Sequence, residues 1–316
     1  MYLIFDTETT GLPLAFSDPS QNINNWNTAR CIQIGWQLHD KYGCLIESGN
    51  DLIKPDNFDI PLASSKIHGI TNEMANSEGV SIQIALDKFN KVLLKTEVII
   101  GHNVVFDINV LNSEYLRLQG EAPLSKFNFI DTMKSTIDFC AISFGKRDVI
   151  KSISSSGKFK DMFKFLVLFN NGDSGILYRK TETVSNFIQG DEVSYVVNDK
   201  GTIKLKKGFK QPKLEELYAK IFGSSFDNAH NAAADVNATA RCFFELLRLN
   251  FYNQDNSCLT KESIAEFISR NSKQILLSNI ELGSNKPDEK RVKQENISEN
   301  LDKNHIDYNH LNSFFP

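Results

Sequence analysis

Apolar residues in the first part of the chain form short runs and alternating stretches that predict strands. Residues 2–5 (Tyr-Leu-Ile-Phe) are an apolar run too short for a helix, which indicates a buried strand. Residues 31–38 alternate, and residues 44–53 follow a Tyr-Gly turn signal, so both predict strands. Apolar positions three and four residues apart predict a helix over 82–95, capped by Ser81. The same criteria predict strands at 98–100 and 127–130, and helices at 106–118 and 132–141.

The pattern then changes. Residues 152–157 (Ser-Ile-Ser-Ser-Ser-Gly) predict a flexible joint. Apolar and aromatic runs between 162 and 206, with turn signals at Asn171-Gly172 and Asp199-Lys200-Gly201, predict a small antiparallel β module. Helical spacing returns over 213–222, 232–249 and 260–278. This order describes an α/β core with a mixed sheet and flanking helices, interrupted by the β module.

The chain is therefore expected to consist of five segments. Residues 283–304 hold five basic and five acidic residues but only three aliphatic ones, a composition typical of disorder. The segments are a first part of the core over 1–141, the inserted β module over 142–207, a last part of the core over 208–250, a helical extension over 251–282, and a disordered linker or tail over 283–316.

Composition narrows the class of protein. Of the 316 residues, 41% are hydrophobic and 23% are charged, close to the average of globular proteins. No apolar run reaches the roughly 18 residues of a membrane span, and the N-terminus lacks the basic region of a signal peptide. The five cysteines stand far apart without a CxxC pair, which indicates reduced thiols and no zinc site. We expect a cytoplasmic protein with no membrane partner.

Charge is distributed unevenly along the chain. From Lys146 to Lys213 there are 14 Lys and Arg against 7 Asp and Glu, a local charge of +7. Since the whole chain carries −4, the remainder carries −11. A basic segment within an acidic body is typical of an interaction surface.

Two acids follow the first predicted strand. Asp6 and Glu8 are two residues apart, so their side chains lie on one face of the strand. Two like charges at the end of a core strand are unfavourable without a cation, and a divalent metal ion is the simplest compensation. The alternative is a strand end whose acids face water.

Three further residues extend this pattern. Asp107 follows the buried strand at 98–100 in the segment Gly101-His102-Asn103-Val104-Val105-Phe106-Asp107, which predicts a place in a first helical turn. His230 and Asp235 flank a run of small residues, which lets another backbone approach closely. Each residue alone is equally typical of an ordinary helix start or cap. Taken together, four carboxylates without cysteine favour Mg²⁺ or Mn²⁺ over Zn²⁺. Two such ions can assist a phosphoryl displacement, for which a nearby histidine deprotonates water.

The three segments resemble the motifs of a known enzyme family. Phe5-Asp6-Thr7-Glu8-Thr9-Thr10-Gly11, Gly101-His102-Asn103-x-x-Phe106-Asp107 and His230-x-Ala232-x-x-Asp235 are similar to the three motifs of the DEDDh 3′→5′ exonucleases. Within that family, the nearest resemblance is to the proofreading, epsilon-type exonucleases of bacterial DNA polymerase III. It covers about residues 1–141 and 208–250.

The resemblance implies a ribonuclease H-like fold and a role for each matching residue. Asp6, Glu8, Asp107 and Asp235 would bind two divalent cations, Mg²⁺ or Mn²⁺, with Asp6 shared between the ions. His230 would be the general base that activates the attacking water. Thr7, Thr10 and Leu12 match the positions that hold the 3′-terminal nucleotide.

Two segments depart from the family pattern. The β module at 142–207 carries the basic excess, and its aromatic residues include Phe159, Phe163, Phe165, Phe169, Tyr178, Phe187 and Tyr195. A basic barrel with exposed aromatics is typical of OB-type modules that bind single strands, whereas alternating aromatics can also fill the module's own core. The second departure is the tail, whose final Leu311-Asn312-Ser313-Phe314-Phe315 is either a docking peptide, the start of a further domain or a frayed end.

The sequence thus predicts a metal-dependent 3′→5′ exonuclease that hydrolyses DNA 3′ ends, single-stranded or frayed, to nucleoside 5′-monophosphates. Proofreading or repair is the expected role, with the DNA polymerase III alpha subunit and sliding clamp as candidate partners. One alternative is an RNA-trimming exoribonuclease of the same family, in which the 2′-OH is recognised. The other is a catalytically silent module that binds nucleic acid or a polymerase.

Overall fold

The computed structural model describes residues 1–40, 42–249 and 251. The chain forms two compact units, one made of Met1–Thr136 with the chain from Lys213 onward, and one made of Ile137–Pro212. The second unit is wider than the predicted insertion at 142–207. The predicted helix at 260–278 and the predicted disordered tail at 283–316 lie outside the described residues. Among the described helices, none is long and apolar enough to cross a membrane.

The first unit contains a five-stranded mixed sheet. Its strands are β1 Tyr2–Thr9, β2 Cys31–His39, β3 Leu45–Leu52, β4 Val98–Gly101 and β5 Asn128–Asp131. They lie in the order β3-β2-β1-β4-β5. β1 pairs antiparallel with β2 and parallel with β4, which pairs parallel with β5. The predicted ribonuclease H-like α/β class is confirmed.

Helices cover both faces of this sheet. The α-helices of the described residues are α1 Leu62–His68, α2 Asn72–Glu78, α3 Ile82–Leu93, α4 Val104–Gln119, α5 Thr132–Ser135, α6 Ile137–Cys140, α7 Leu214–Phe222 and α8 Ala232–Arg248. Of these, α6 belongs to the second unit. Alternate residues of β1 face opposite sides. Leu3 and Phe5 belong to the core that includes α3 and α4, whereas Tyr2 and Ile4 pack with Val236 and Phe243 of α8.

A buried ion pair fixes α4 to β2. Glu114, which is 1% exposed, accepts hydrogen bonds from Arg30 Nε at 2.8 Å and from the Cys31 backbone N–H at 3.1 Å. The side chain of Arg117 lies 3.2 Å from the same carboxylate. A buried charge needs such partners, and these ones hold the helix that carries Asp107.

Most predicted elements of the first unit are present, with two differences. The predicted helix at 132–141 is interrupted at Thr136, which gives the short α5 and α6. α1 and α2 form where no helix was predicted. Both are only seven residues long, and α2 depends on a local cap in which Thr71 Oγ1 accepts from the Met74 backbone N–H. Helices this short leave little periodicity in a sequence.

The second unit is an antiparallel sheet whose edges meet. Its strands are β6 Lys146–Phe159, β7 Met162–Phe169, β8 Ser174–Arg179, β9 Glu192–Val197 and β10 Ile203–Lys206, in the order β10-β9-β6-β7-β8. A parallel bridge between Ile176 and Thr202 joins the two ends of this order. The five strands therefore form a small barrel.

The predicted flexible joint at 152–157 is wrong, because these residues are part of β6. Ser154 and Ser155 pair with Leu166 and Phe165 of β7. The ladder shifts register between Ser155 and Lys158, where Gly157 has a φ of 94° that favours glycine. Pairing with a neighbouring strand thus overrides the loop preference of a serine-rich segment.

The core of the barrel contains four of the seven aromatic residues that the sequence analysis named. Phe165, Phe169, Phe187 and Tyr195 are buried in it. The hypothesis that aromatics fill the module's own core is therefore right for these four. Phe159, in contrast, is 57% exposed, so its ring is not part of this core.

Candidate active site

Three carboxylates meet where β1 ends. Asp6 and Glu8 project from the face of β1 that α8 covers, and Asp235 lies in the first turn of α8. One carboxylate oxygen from each of the three lies within 4.8 Å of the other two. The sequence predicted that these residues share a site, and segments far apart in the sequence come together to form it.

The close approach of α8 to the sheet depends on two residues that sequence reasoning missed. Gly35 of β2 pairs with Asp6, and a Cβ at this position would lie 2.6 Å from the carbonyl carbon of Ala232. Gln33, also in β2 and 6% exposed, accepts a hydrogen bond from the Ala232 backbone N–H at 3.2 Å. Ala232 is fully buried, which confirms the expectation that the small residues before Asp235 allow a close backbone contact.

His230 lies in the loop that leads into α8. Its backbone has a φ of 68°, an uncommon conformation for a residue with a side chain. Its backbone N–H donates to Asp235 Oδ2 at 3.1 Å, and its ring Nε2 lies 3.9 Å from Glu215 Oε1. The side chain is 55% exposed. The loop therefore orients Asp235 through a backbone bond and leaves the imidazole open to solvent.

Asp107 lies in the first turn of α4 and is 3% exposed. Its Oδ1 accepts two hydrogen bonds from Thr7, one from the backbone N–H at 3.0 Å and one from Oγ1 at 2.7 Å. The turn before α4 is fixed by Asn103, whose φ is 70° and whose N–H donates to Asp131 Oδ1 at 3.0 Å. Thr7 points away from Asp6 along β1, so it links Asp107 to the strand that carries the other acids.

Burial raises the pKa values of all four acids, and repulsion within the cluster adds to this effect at Asp6 and Glu8. The pKa of Asp6 is raised well above its usual value, first by burial and then by the charges of Asp107, Asp235 and Glu8. Burial, with the charges of Asp235 and Asp107, raises the pKa of Glu8 to about 8. Burial raises the pKa of Asp107 to about 7 although the Thr7 hydrogen bonds lower it. Burial likewise raises the pKa of Asp235 to about 6, against the lowering effect of His230.

These residues fit a divalent metal ion. The donors of Asp6, Glu8 and Asp235 are all carboxylate oxygens, and hard cations such as Mg²⁺ and Mn²⁺ prefer oxygen ligands. A cation among these groups would remove the repulsion that raises their pKa values. The acidic cluster can therefore hold a metal ion.

The three residues predicted to hold a terminal nucleotide differ in their surroundings. Thr7 is buried and bonded to Asp107, as described above. Thr10 is 7% exposed, and its hydroxyl donates to the Thr28 carbonyl at 3.0 Å. Leu12 is 67% exposed. The loop that follows β1 thus exposes Leu12 to solvent, whereas the hydrogen bond of Thr10 holds the start of this loop in place.

Two further exposed apolar residues of the same loop were not singled out from the sequence. Leu14 is 74% exposed and Phe16 is 69% exposed. The available signal was their alternation with Leu12 directly after a strand that carries candidate catalytic acids. Together the three side chains give the loop an apolar surface.

Comparison with known proteins places these observations in a family. Residues 3–147 match the Exonuclease family, RNase_T. The chain is 27% identical over 194 residues to DNA polymerase III subunit epsilon of Buchnera aphidicola subsp. Schizaphis graminum (strain Sg), covering 56% of this chain and 78% of that protein. It is 37% identical over 124 residues to DNA polymerase III subunit epsilon of Treponema pallidum (strain Nichols), covering 39% of this chain and 50% of that protein.

A solved structure of exonuclease I aligns with 88% of this chain and 45% of its own length, with 18% sequence identity and a TM-score of 0.47. The chain thus spans half of the Treponema protein and less than half of exonuclease I. The family match includes the segments that carry Asp6, Glu8 and Asp107. The exonuclease resemblance drawn from the three motifs is confirmed: residues 3–147 match the exonuclease family, and the chain is similar to two DNA polymerase III epsilon subunits.

Proposed function

We propose that the chain is a 3′→5′ exonuclease that hydrolyses DNA from its 3′ end and releases nucleoside 5′-monophosphates. The observation that carries this proposal is the cluster of Asp6, Glu8 and Asp235, whose carboxylate oxygens lie within 4.8 Å of one another. The charge of the buried Asp107 acts on the same cluster. Proofreading is the proposed role, and the similarity to two DNA polymerase III epsilon subunits supports it.

Asp6, Glu8, Asp107 and Asp235 are the residues that would hold two divalent cations, Mg²⁺ or Mn²⁺, with Asp6 shared between them. When bound, the cations supply stabilisation of the charge on the attacking and leaving oxygens of a phosphodiester displacement. The protein contributes rigidity to this arrangement. Thr7 holds Asp107 with two hydrogen bonds, and the contact between Gly35 and Ala232 fixes the start of the helix that carries Asp235.

His230 would accept the proton of the attacking water. Its backbone N–H donates to Asp235 Oδ2 at 3.1 Å, and its charge lowers the pKa of Asp235, which supports a place for it beside the cluster. The imidazole is 55% exposed, so a proton that it accepts can pass to solvent. Histidine suits this role because its ordinary pKa lies near neutral pH.

Thr7, Thr10 and Leu12 remain the proposed site for the 3′-terminal nucleotide. Leu12 is the exposed member, and a terminal base can pack on its side chain. The hydroxyls of Thr7 and Thr10 are bonded within the protein, so these two residues would shape the strand end and the start of the loop. Single-stranded or frayed DNA 3′ ends are the proposed substrate, since an unpaired terminus can enter a partly buried carboxylate cluster more readily than a paired one.

The relatives also suggest where the protein acts. We propose the DNA polymerase III alpha subunit and the sliding clamp as partners, and the cytoplasm as the compartment. Among the described residues, Cys31 and Cys44 form no disulfide bond, which is in keeping with a reducing compartment.

A time course on 5′-labelled single-stranded DNA tests the function. With Mg²⁺ we expect a ladder that shortens from the 3′ end, and EDTA should abolish it. An RNA strand of the same sequence runs in parallel. Faster loss of the RNA would reassign the enzyme to RNA trimming. Metal binding without turnover on either strand would contradict the proposal and indicate a binding module.

A further inference from the structure

The barrel of the second unit has the strand arrangement of an OB fold. β6, its first strand, pairs through Lys146–Val149 with β9 and through Ile150–Phe159 with β7. β7 pairs with β8, β9 pairs with β10, and a parallel bridge joins β8 to the start of β10. The first strand thus pairs with both the second and the fourth strand, and the third strand pairs with the start of the fifth. In OB folds, the face of the second and third strands and the adjacent loops bind oligonucleotides and oligosaccharides.

In this barrel, the outer face of the second and third strands, β7 and β8, consists of side chains that do not belong to the core. Side chains alternate along β7, so Phe165, Val167 and Phe169 are buried inside. Leu177 of β8 is buried with them. The alternate positions form the outer face and are half-buried: Lys164, Leu166, Leu168, Ile176 and Tyr178.

Two aromatic rings lie together on this outer face. Phe159, at the end of β6, is 57% exposed. Its ring centre is 6.4 Å from that of Tyr178, with an interplanar angle of 67°. Tyr178 pairs across β8 and β7 with Lys164. An aromatic pair on a sheet, with Phe159 exposed and Tyr178 half-buried, has the shape and chemistry on which unpaired bases stack.

Cations surround the two rings. The amine of Lys160 is 5.8 Å from the centre of the Phe159 ring, and Lys164 is the cross-strand neighbour of Tyr178. Within the described part of the chain, neither lysine has a carboxylate within ion-pair distance. Asp161, in the same turn, is the acid nearest to them in sequence. Lys146 and Lys207, by contrast, are paired with Asp173 and Asp191 at 2.7 Å.

We propose that this outer face of β7 and β8, together with Phe159 and Lys160, binds single-stranded nucleic acid, and we name it the stacking face. Bases stack on Phe159 and Tyr178, and phosphates lie against Lys160 and Lys164. A duplex keeps its bases paired and stacked, so it cannot use the aromatic pair. Binding at the stacking face requires no metal ion and no hydrolysis. It can therefore be tested separately from the exonuclease activity.

Fluorescence anisotropy of the full chain with labelled oligothymidylate, in EDTA to prevent hydrolysis, tests the proposal. Phe159→Ala should weaken binding about 10-fold, since a base–aromatic stack contributes at least that factor. Lys164→Gln should reduce the slope of log affinity against log salt by about 0.7, the value for one phosphate contact on a single strand. An RNA strand of the same length shows whether the 2′-OH matters.

Matched controls lie in the first unit. Phe129→Ala removes an aromatic side chain that is 46% exposed on β5, and Lys91→Gln removes an exposed charge on α3. Both should bind the strand as the unaltered chain does. Tyr178→Leu keeps apolar volume at the second ring and should still weaken binding, with an unchanged melting temperature.

Three results would overturn the proposal: no binding by the unaltered chain in EDTA, unchanged affinity in Phe159→Ala, or equal affinity for a duplex. Asp6→Asn separates this outcome from that of the proposed function. It should stop hydrolysis in Mg²⁺ yet retain the effect of Phe159→Ala on binding. If the chain hydrolyses DNA but Phe159→Ala does not change its affinity, the exonuclease proposal is supported and the stacking-face proposal is contradicted.

Discussion

The two units of the chain place charge in opposite ways. In the first unit, Asp6, Glu8 and Asp235 bring like charges together at a partly buried strand end. In the second unit, the exposed Lys160 and the half-buried Lys164 lie beside the rings of Phe159 and Tyr178. Buried repulsion has a free-energy cost that must be compensated, so it indicates a ligand by itself. Exposed lysines cost little and also keep proteins soluble, so they indicate a ligand only in combination with Phe159 and Tyr178.

The largest expected effect is at the carboxylate cluster. Asp6→Asn or Asp235→Asn should reduce turnover by at least about 10³-fold, because each removes a charge from the ligand set of the metal ions. Turnover is measured on labelled single-stranded DNA in Mg²⁺, and circular dichroism checks the fold. Asp56→Asn, at an exposed position, is the matched control and should leave the rate unchanged. Normal turnover in either cluster variant would contradict the proposed mechanism.

His230→Ala should lower the rate roughly 10²–10⁴-fold, the usual effect of losing a general base. The pH profile should also change, because the group proposed to accept the proton is gone. Rates measured from pH 5.5 to 9 provide the check. Glu215→Gln, which alters only the group 3.9 Å from Nε2, should have a smaller effect. A pH profile identical to that of the unaltered enzyme would exclude His230 as the base.

Gly35→Ala tests whether the position of α8 limits activity. The added methyl group would lie 2.6 Å from the carbonyl carbon of Ala232 and would displace the start of α8, and with it Asp235. We expect a loss of turnover of about 10-fold or more, since a displacement of about 1 Å can cost 10²-fold, and a loss of about 1–3 kcal/mol in unfolding free energy.

Gly49→Ala is the control for that experiment. Its methyl group would overlap the ring of Trp36, on the other face of the sheet from α8. It should lower the melting temperature in a similar way and leave the turnover of the folded fraction close to normal. If the two variants lose turnover equally, the contact between Gly35 and Ala232 has no special role in the site.

These controls also show which features a sequence can reveal. Asp6 and Glu8 are two residues apart on one strand, so local geometry predicts their shared face. Gln33 bonds to a residue 199 positions away, and its role exists only once α8 has docked on β2. The continuity of β6 through Ser152–Gly157 was missed for a similar reason. Its stability comes from pairing with β7, whereas the local preference of serine and glycine is for loops.

The smallest expected effect concerns the metal-free protein. Burial and repulsion raise the pKa of Glu8 to about 8, that of Asp107 to about 7 and that of Asp235 to about 6, whereas unfolded carboxyls titrate near pH 4. The folded chain therefore binds more protons than the unfolded chain between about pH 4 and pH 8, and its unfolding free energy should fall as pH rises through this window. Added Mg²⁺ should flatten this dependence, because a bound cation stabilises the ionised carboxylates.

Glu8→Gln separates this repulsion from ordinary surface charge. In EDTA at pH 8 the variant should melt roughly 2–6 °C above the unaltered chain, since one repelled carboxylate is gone. At pH 5 the difference should nearly vanish, because Glu8 is then protonated in the folded state. Glu121→Gln, at an exposed position, should show no such pH dependence. In Mg²⁺ the order should reverse, with Glu8→Gln the less stable protein because it has lost a ligand. A gain at pH 8 that persists in Mg²⁺ would mean that Glu8 is repelled by its neighbours without holding a metal ion.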